Sequence, residues 1–148
     1  KSLDLLSYIQ TYVRIKTFER TRFQMTRIPT EDRNIMEKAI YLPMVLTILT
    51  RDLKAVEAAP FKLKQPYVLL IEETMKQVQH ELKAVSRYMR THQLKVEESK
   101  RDESFTLFLF LYKGYEEYHN YFNPRIRNKV QELLEYYFIK QWQGKKDA

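Results

Sequence analysis

The chain predicts an all-α fold, an antiparallel bundle of about five helices, on three observations. Val68, Ile71, Met75, Val78, Leu82, Val85 and Met89 follow one another at alternating steps of 3 and 4 residues. Glu72, Glu73, Lys76, Gln79, Lys83 and Arg87 fall off that stripe, the pattern of a long helix with one apolar face. Ile35, Ala39, Leu42, Leu46, Leu49, Leu53 and Val56 repeat the pattern, with Met36, Val45 and Ile48 widening the face. Only 2 Gly and 5 Pro occur in 148 residues, too few for a β-sandwich with its many tight turns.

Taken in order, the chain opens with Ser2 and Asp4, which suit a helix cap and first turn, and Leu6, Ile9 and Val13 have helical spacing. A helix to about Gln24 is expected; the near alternation of Arg14-Ile15-Lys16-Thr17-Phe18 leaves a strand or extended arm as the alternative. Ile28-Pro29-Thr30 breaks the pattern, and Glu31 and Asp32 then suit the positive end of a helix dipole. That helix is expected over 30–58, kinked at Pro43, which removes one backbone bond while the stripe stays in phase across it. A short connection leads to Pro66, a natural first helical residue, so helices 30–58 and 66–90 should form an antiparallel hairpin. Thr91 to Glu103 is charged and reads as an exposed loop.

Phe105 to Tyr112 is apolar nearly throughout, which suits a buried strand as well as a buried helix. The 3/4 spacing of Phe108, Leu111, Tyr115, Tyr118 and Phe122 favours a helix over 104–122, with Gly114 as a costly interior residue. Asn123-Pro124 reads as cap and first turn of a last helix over 124–142, striped by Ile126, Val130, Leu133 and Tyr137. Residues 144–148 should fray.

Length predicts a single domain over 1–148. The absence of cysteine removes disulfides, thiolate metal sites and a cysteine nucleophile. No run approaches the roughly 18 apolar residues of a membrane span, and a cytoplasmic location is the expectation. The net charge of +7 sits at the ends: residues 1–29 hold six Lys/Arg against two acids, and 124–148 hold six against three.

Met25-Thr-Arg-Ile-Pro-Thr-Glu-Asp-Arg33, Ala39-Ile-Tyr-Leu-Pro-Met-Val-Leu46, Tyr112-Lys-Gly-Tyr-Glu-Glu117 and Asn123-Pro-Arg-Ile-Arg-Asn128 resemble the YhjD-like proteins, a small family of spore-forming Gram-positive bacteria. The resemblance covers about residues 25–138 and implies a bacterial, cytoplasmic, helical protein without implying an activity. It leaves residues 1–24 outside as an extension, with Met25 a candidate original start.

Catalysis finds little support. Glu116-x-x-His119 has the spacing of a helical metal motif but occurs once, and neither His80 nor His92 has a carboxylate three residues before it. Gly114 and Gly144 stand alone, so there is no phosphate-cradling loop and no nucleophile elbow. Adjacent pairs such as Glu72/Glu73 diverge by about 100° on a helix and read as solvated charge. The expectation is a non-enzyme with no metal, no cofactor and no small-molecule substrate.

Two surfaces remain. Rings are enriched at interface cores, and Tyr115, Tyr118, Tyr121, Tyr136 and Trp142 are candidate contacts for a protein partner or a second copy, although many such rings belong in a core. Arg14, Lys16, Arg20, Arg22, Arg125 and Arg127, interleaved with aromatics in the first segment, are candidate contacts for a polyanion. The leading expectation is contact with a protein partner or a second copy as a homodimer, and the alternative is nucleic-acid binding.

Overall fold

The computed structural model describes residues 26–147. The helix expected over residues 2–24 lies outside the described residues. Helix α1 (Thr30–Ala58) runs on through Pro43 as one element, and α2 (Gln65–Thr91) opens with Pro66 in its first turn. They lie antiparallel. The Tyr88 hydroxyl donates to Asp32 Oδ1 at 2.7 Å near one end, and Lys38 meets Glu81 at 3.1 Å farther along. Along α2, Val68, Ile71, Val78, Val85 and Met89 are buried, with Met75 and Leu82 half-buried between them.

The chain then departs from the all-α expectation. Residues 94–122 form a three-stranded antiparallel meander in the order β1-β2-β3: β1 (Leu94–Arg101), β2 (Phe105–Tyr112) and β3 (Tyr115–Phe122). The exposed loop expected before Glu103 is therefore mostly strand, and the helix expected over 104–122 is a hairpin. Helix α3 (Asn123–Asp147) follows directly, so the described residues hold three helices and a sheet, not a helical bundle.

Local chemistry explains each strand boundary. Gln93, at a left-handed φ of 57°, ends the turn after α2, and its carbonyl accepts from Lys113 N–H at 3.1 Å. Between β1 and β2, Asp102 Oδ1 accepts from the backbone N–H of Ser104 and Phe105 (2.8 and 2.7 Å), a side chain building its own turn. Between β2 and β3 stand Lys113 and Gly114, with φ of 47° and 88°, the two positive values of a type I′ turn. Gly114 thus serves a hairpin and interrupts no helix.

Burial on β2 alternates with a period of two. Thr106, Phe108 and Phe110 point into the core, joined by His119 and Tyr121 of β3 and Leu94 of β1. That core is shared with Met36, Leu42, Val45 and Leu49 of α1, with Val78 and Val85 of α2, and with Ile126, Val130 and Tyr137 of α3. The helices therefore cover one face of the sheet.

Gly114→Ala tests the hairpin directly. A Cβ there meets no atom within 4 Å, so the effect is conformational alone. In the observed turn the variant should lose about 1–2 kcal/mol in urea unfolding. In a helix interior the same change would gain about 1 kcal/mol, so the sign decides.

Candidate functional site

The face of the sheet away from the helices is built by the residues that alternate with the core. In β2 these are Phe105, Leu107, Leu109 and Leu111, all half-buried, and none of the four joins the core cluster or its packed shell. The register places Lys95, Leu111 and Glu116 in one cross-strand row, Glu97, Leu109 and Tyr118 in the next, and Lys100, Leu107 and Asn120 beyond a bulge at Ser99. Tyr118 is 56% exposed and Phe122 pairs with Phe105 at the far end. The outer face is thus an apolar ridge along β2, flanked by charges on β1 and by Glu116, Tyr118 and Asn120 on β3.

On the inner face, Glu117 gathers the chain entering α1. Its carboxylate accepts from the Thr26 hydroxyl and the Arg27 backbone N–H, both at 2.8 Å, and lies 3.0 Å from His119 Nε2. His119 is buried, with its ring 4.5 Å from that of Phe110. Burial works to raise the Glu117 pKa, but the hydrogen bonds from Arg27, Thr26 and His119 outweigh it and hold the carboxyl below its ordinary value. A strand sends Glu116 and His119 to opposite faces, so the helical metal spacing does not arise. Among the described residues no group of three or more His, Asp or Glu is placed to hold a metal ion.

The candidate contact rings do not gather on one surface. Tyr118 stands on the outer face, while Tyr115, also 56% exposed, ends the inner row with the Arg27 guanidinium 5.3 Å from its ring centre. Tyr121 lies in the core, its hydroxyl donating to Glu37 Oε1 at 2.9 Å. Tyr136 and Trp142 are exposed on α3. Of the polyanion candidates, Arg14, Lys16, Arg20 and Arg22 lie outside the described residues. Arg125 borders a groove with Glu37 and Glu132, and Arg127 borders a different one with Met44 and Ile126. Sequence reading missed the leucine ridge because β2 is apolar at almost every position; the signal was the Lys113-Gly114 pair closing two runs of similar length.

Comparison with known proteins places the chain. The family described as YhjD protein matches residues 27–141. A Bacillus subtilis (strain 168) protein named "Uncharacterized protein YhjD" is 46% identical over 115 residues, covering 78% of this chain and 96% of that relative. The chain belongs to the YhjD family. The matched region of this family member takes in the whole outer face and, apart from Thr26, the Glu117 cluster. No solved structure matches the chain. No helix among the described residues is long and apolar enough to cross a membrane.

The Glu117 cluster makes a pH prediction. A carboxyl whose folded pKa is depressed adds stability above its ordinary pKa of about 4.3, lost as pH falls through the lower folded value. Glu81 is also lowered: burial opposes the shift, and hydrogen bonds from Tyr137 and Lys38 prevail. Glu117→Gln should cost about 1–3 kcal/mol near neutral pH. The variant should also lose less than the parent on going to about pH 3.5. Urea unfolding at both pH values reads this, with Glu81 still supplying part of the acid slope.

Proposed function

We propose that this YhjD-family chain works without catalysis, by protein–protein contact, and that it forms a homodimer through the outer face of its sheet. The observation that carries the reading is the apolar ridge of Phe105, Leu107, Leu109 and Leu111, which no helix core residue among the described residues backs. A contiguous apolar patch rimmed by polar groups is the usual mark of a contact surface.

The flanking charges suit a second copy. Two sheets packed face to face lie about 10 Å apart with strands nearly aligned. A two-fold axis along β2 sets β1 of one copy over β3 of the other. Lys95 and Glu116 share a cross-strand row, so each Lys95 then faces Glu116 of the second copy. The face is complementary to itself in charge as well as in apolarity. In the free chain Lys95 pairs with Glu97 at 2.6 Å, a contact exposed enough to exchange.

Light scattering of the full chain tests this. The parent should run at twice its 18.1 kDa mass, and Leu109→Lys should run as a folded monomer. Lys95→Glu should weaken the dimer by about tenfold, and adding Glu116→Lys should restore it. A monomeric parent at about 100 µM, or a dimer untouched by Leu109→Lys, would overturn the reading. A monomer that binds a mixed-sequence duplex with steep salt dependence would install nucleic-acid binding in its place.

A further inference from the structure

A groove of about 550 Å³ opens at the end of the sheet where the β1–β2 turn meets the start of α3. Its volume falls within the roughly 300–1,000 Å³ of small-ligand sites. Its walls are two apolar helix stripes: Met44 and Ile48 from α1, and Ile126, Val130 and Leu134 from α3. Ile126 to Leu134 covers two helical turns, about 12 Å, the reach of a medium alkyl chain.

Apart from Gln131, whose amide donates to Glu135 at 3.2 Å, the polar lining is concentrated at one end. Thr106 and Asn123 bond each other at 2.7 Å, and Asn123 Nδ2 donates to the Asp102 carbonyl at 2.9 Å. Their hydrogen-bonding capacity is largely spent within the fold. Arg101 pairs with Thr106 in the sheet register, and Arg127 stands one turn beyond Asn123 on α3. Both arginines line the groove, while Leu134 lies about two turns farther along α3 than Arg127. Arg101 already meets Glu98 at 2.8 Å through Nε, in an exposed pair that leaves the rest of its guanidinium fork available. Arg127 is an exposed cation in the opening turns of a helix, where the dipole opposes positive charge. An anion there offsets that opposition, and a carboxylate matches a guanidinium fork.

We propose that this groove binds a free single-chain carboxylate amphiphile, with its head between Arg101 and Arg127 and its alkyl chain along Ile48, Val130 and Leu134. The charge sits at one end and the apolar stripe runs away from it, which is the polarity of a medium-chain fatty acid. A small carboxylate would leave the stripe unfilled, and an uncharged alcohol would leave the arginines without an anion. The inference is independent of the dimer, because it uses none of the outer-face residues.

Titration calorimetry of the full chain with decanoate, decanol and acetate, below micellar concentrations, tests it. Decanoate should bind at least tenfold more tightly than decanol, and acetate should not bind measurably. The double change Arg101→Gln with Arg127→Gln should remove the tenfold advantage and leave decanol binding unchanged. Ile48→Asp, at a position already 37% exposed and so tolerant of a polar residue, should weaken decanoate with the far-ultraviolet circular dichroism intact. Equal binding of decanoate and decanol, no binding of either, or parent-like binding by the double variant would each overturn the proposal. Capture on anionic vesicles without binding of free decanoate would also overturn it, in favour of a membrane surface.

Discussion

Strand β2 is apolar on both of its faces, and it can hide only one of them against the helices. That constraint orders the rest of the molecule. Phe110 is fully buried and Phe108 nearly so, and they fill the space between the sheet and α1, α2 and α3. A one-residue slip in register would exchange this face for Phe105, Leu107, Leu109 and Leu111. The two-residue Lys113-Gly114 turn and the Asp102 turn prevent the slip by fixing the strand length on either side. The outward ridge is therefore the necessary complement of the core.

Tyrosine hydroxyls tie the layers around that strand. Tyr88 of α2 donates to Asp32 of α1, Tyr121 of β3 donates to Glu37 of α1, and Tyr137 of α3 donates to Glu81 of α2. Each joins two different elements, and each carboxylate lies on the hairpin. A hydrogen bond to a charged group contributes about 1.5–3 kcal/mol, more than a neutral one. The bonds act back on the tyrosines: the hydroxyl bond to Asp32, with some burial, pushes Tyr88 up to about 12, and burial with the Glu81 bond raises Tyr137 further. Several of the 11 tyrosines are thus internal fasteners, which a composition-based reading of rings as contact surface does not separate from exposed ones such as Tyr118.

The hairpin was legible because α2 presents a stripe with polar residues on every other side, and the sequence pattern from Val68 to Met89 coincides with what is buried. The start of α3 at Asn123-Pro124 was legible too, although Asn123 spends its side chain on Thr106 and the Asp102 carbonyl instead of capping its own helix. The sheet was not legible, for a physical reason. Alternation reveals a strand only when its two faces differ in polarity, and in β2 they do not. The helical spacing of Phe108, Leu111, Tyr115, Tyr118 and Phe122 then arose by coincidence from residues on both faces of a hairpin. Gly114 held the better signal, since a glycine after lysine between two runs of similar length needs a reason, and a positive φ of 88° is that reason.

Among the described residues the three-stranded meander has two edges and one face that no helix covers, and the edges are guarded. β1 carries Lys95, Glu97, Glu98, Lys100 and Arg101 among its 8 residues and bulges between Glu98 and Lys100, both of which disfavour pairing with another strand. At β3 the chain entering α1 is fastened through Glu117, with Arg27 laid over Tyr115. Neither device touches the leucine ridge. Sheets twist in a fixed sense, so a flat partner fits such a face poorly, whereas an identical sheet carries the same twist and packs at about −30° without distortion. The guarded edges and the twist of the sheet are the physical grounds on which the proposed homodimer is built through the outer face.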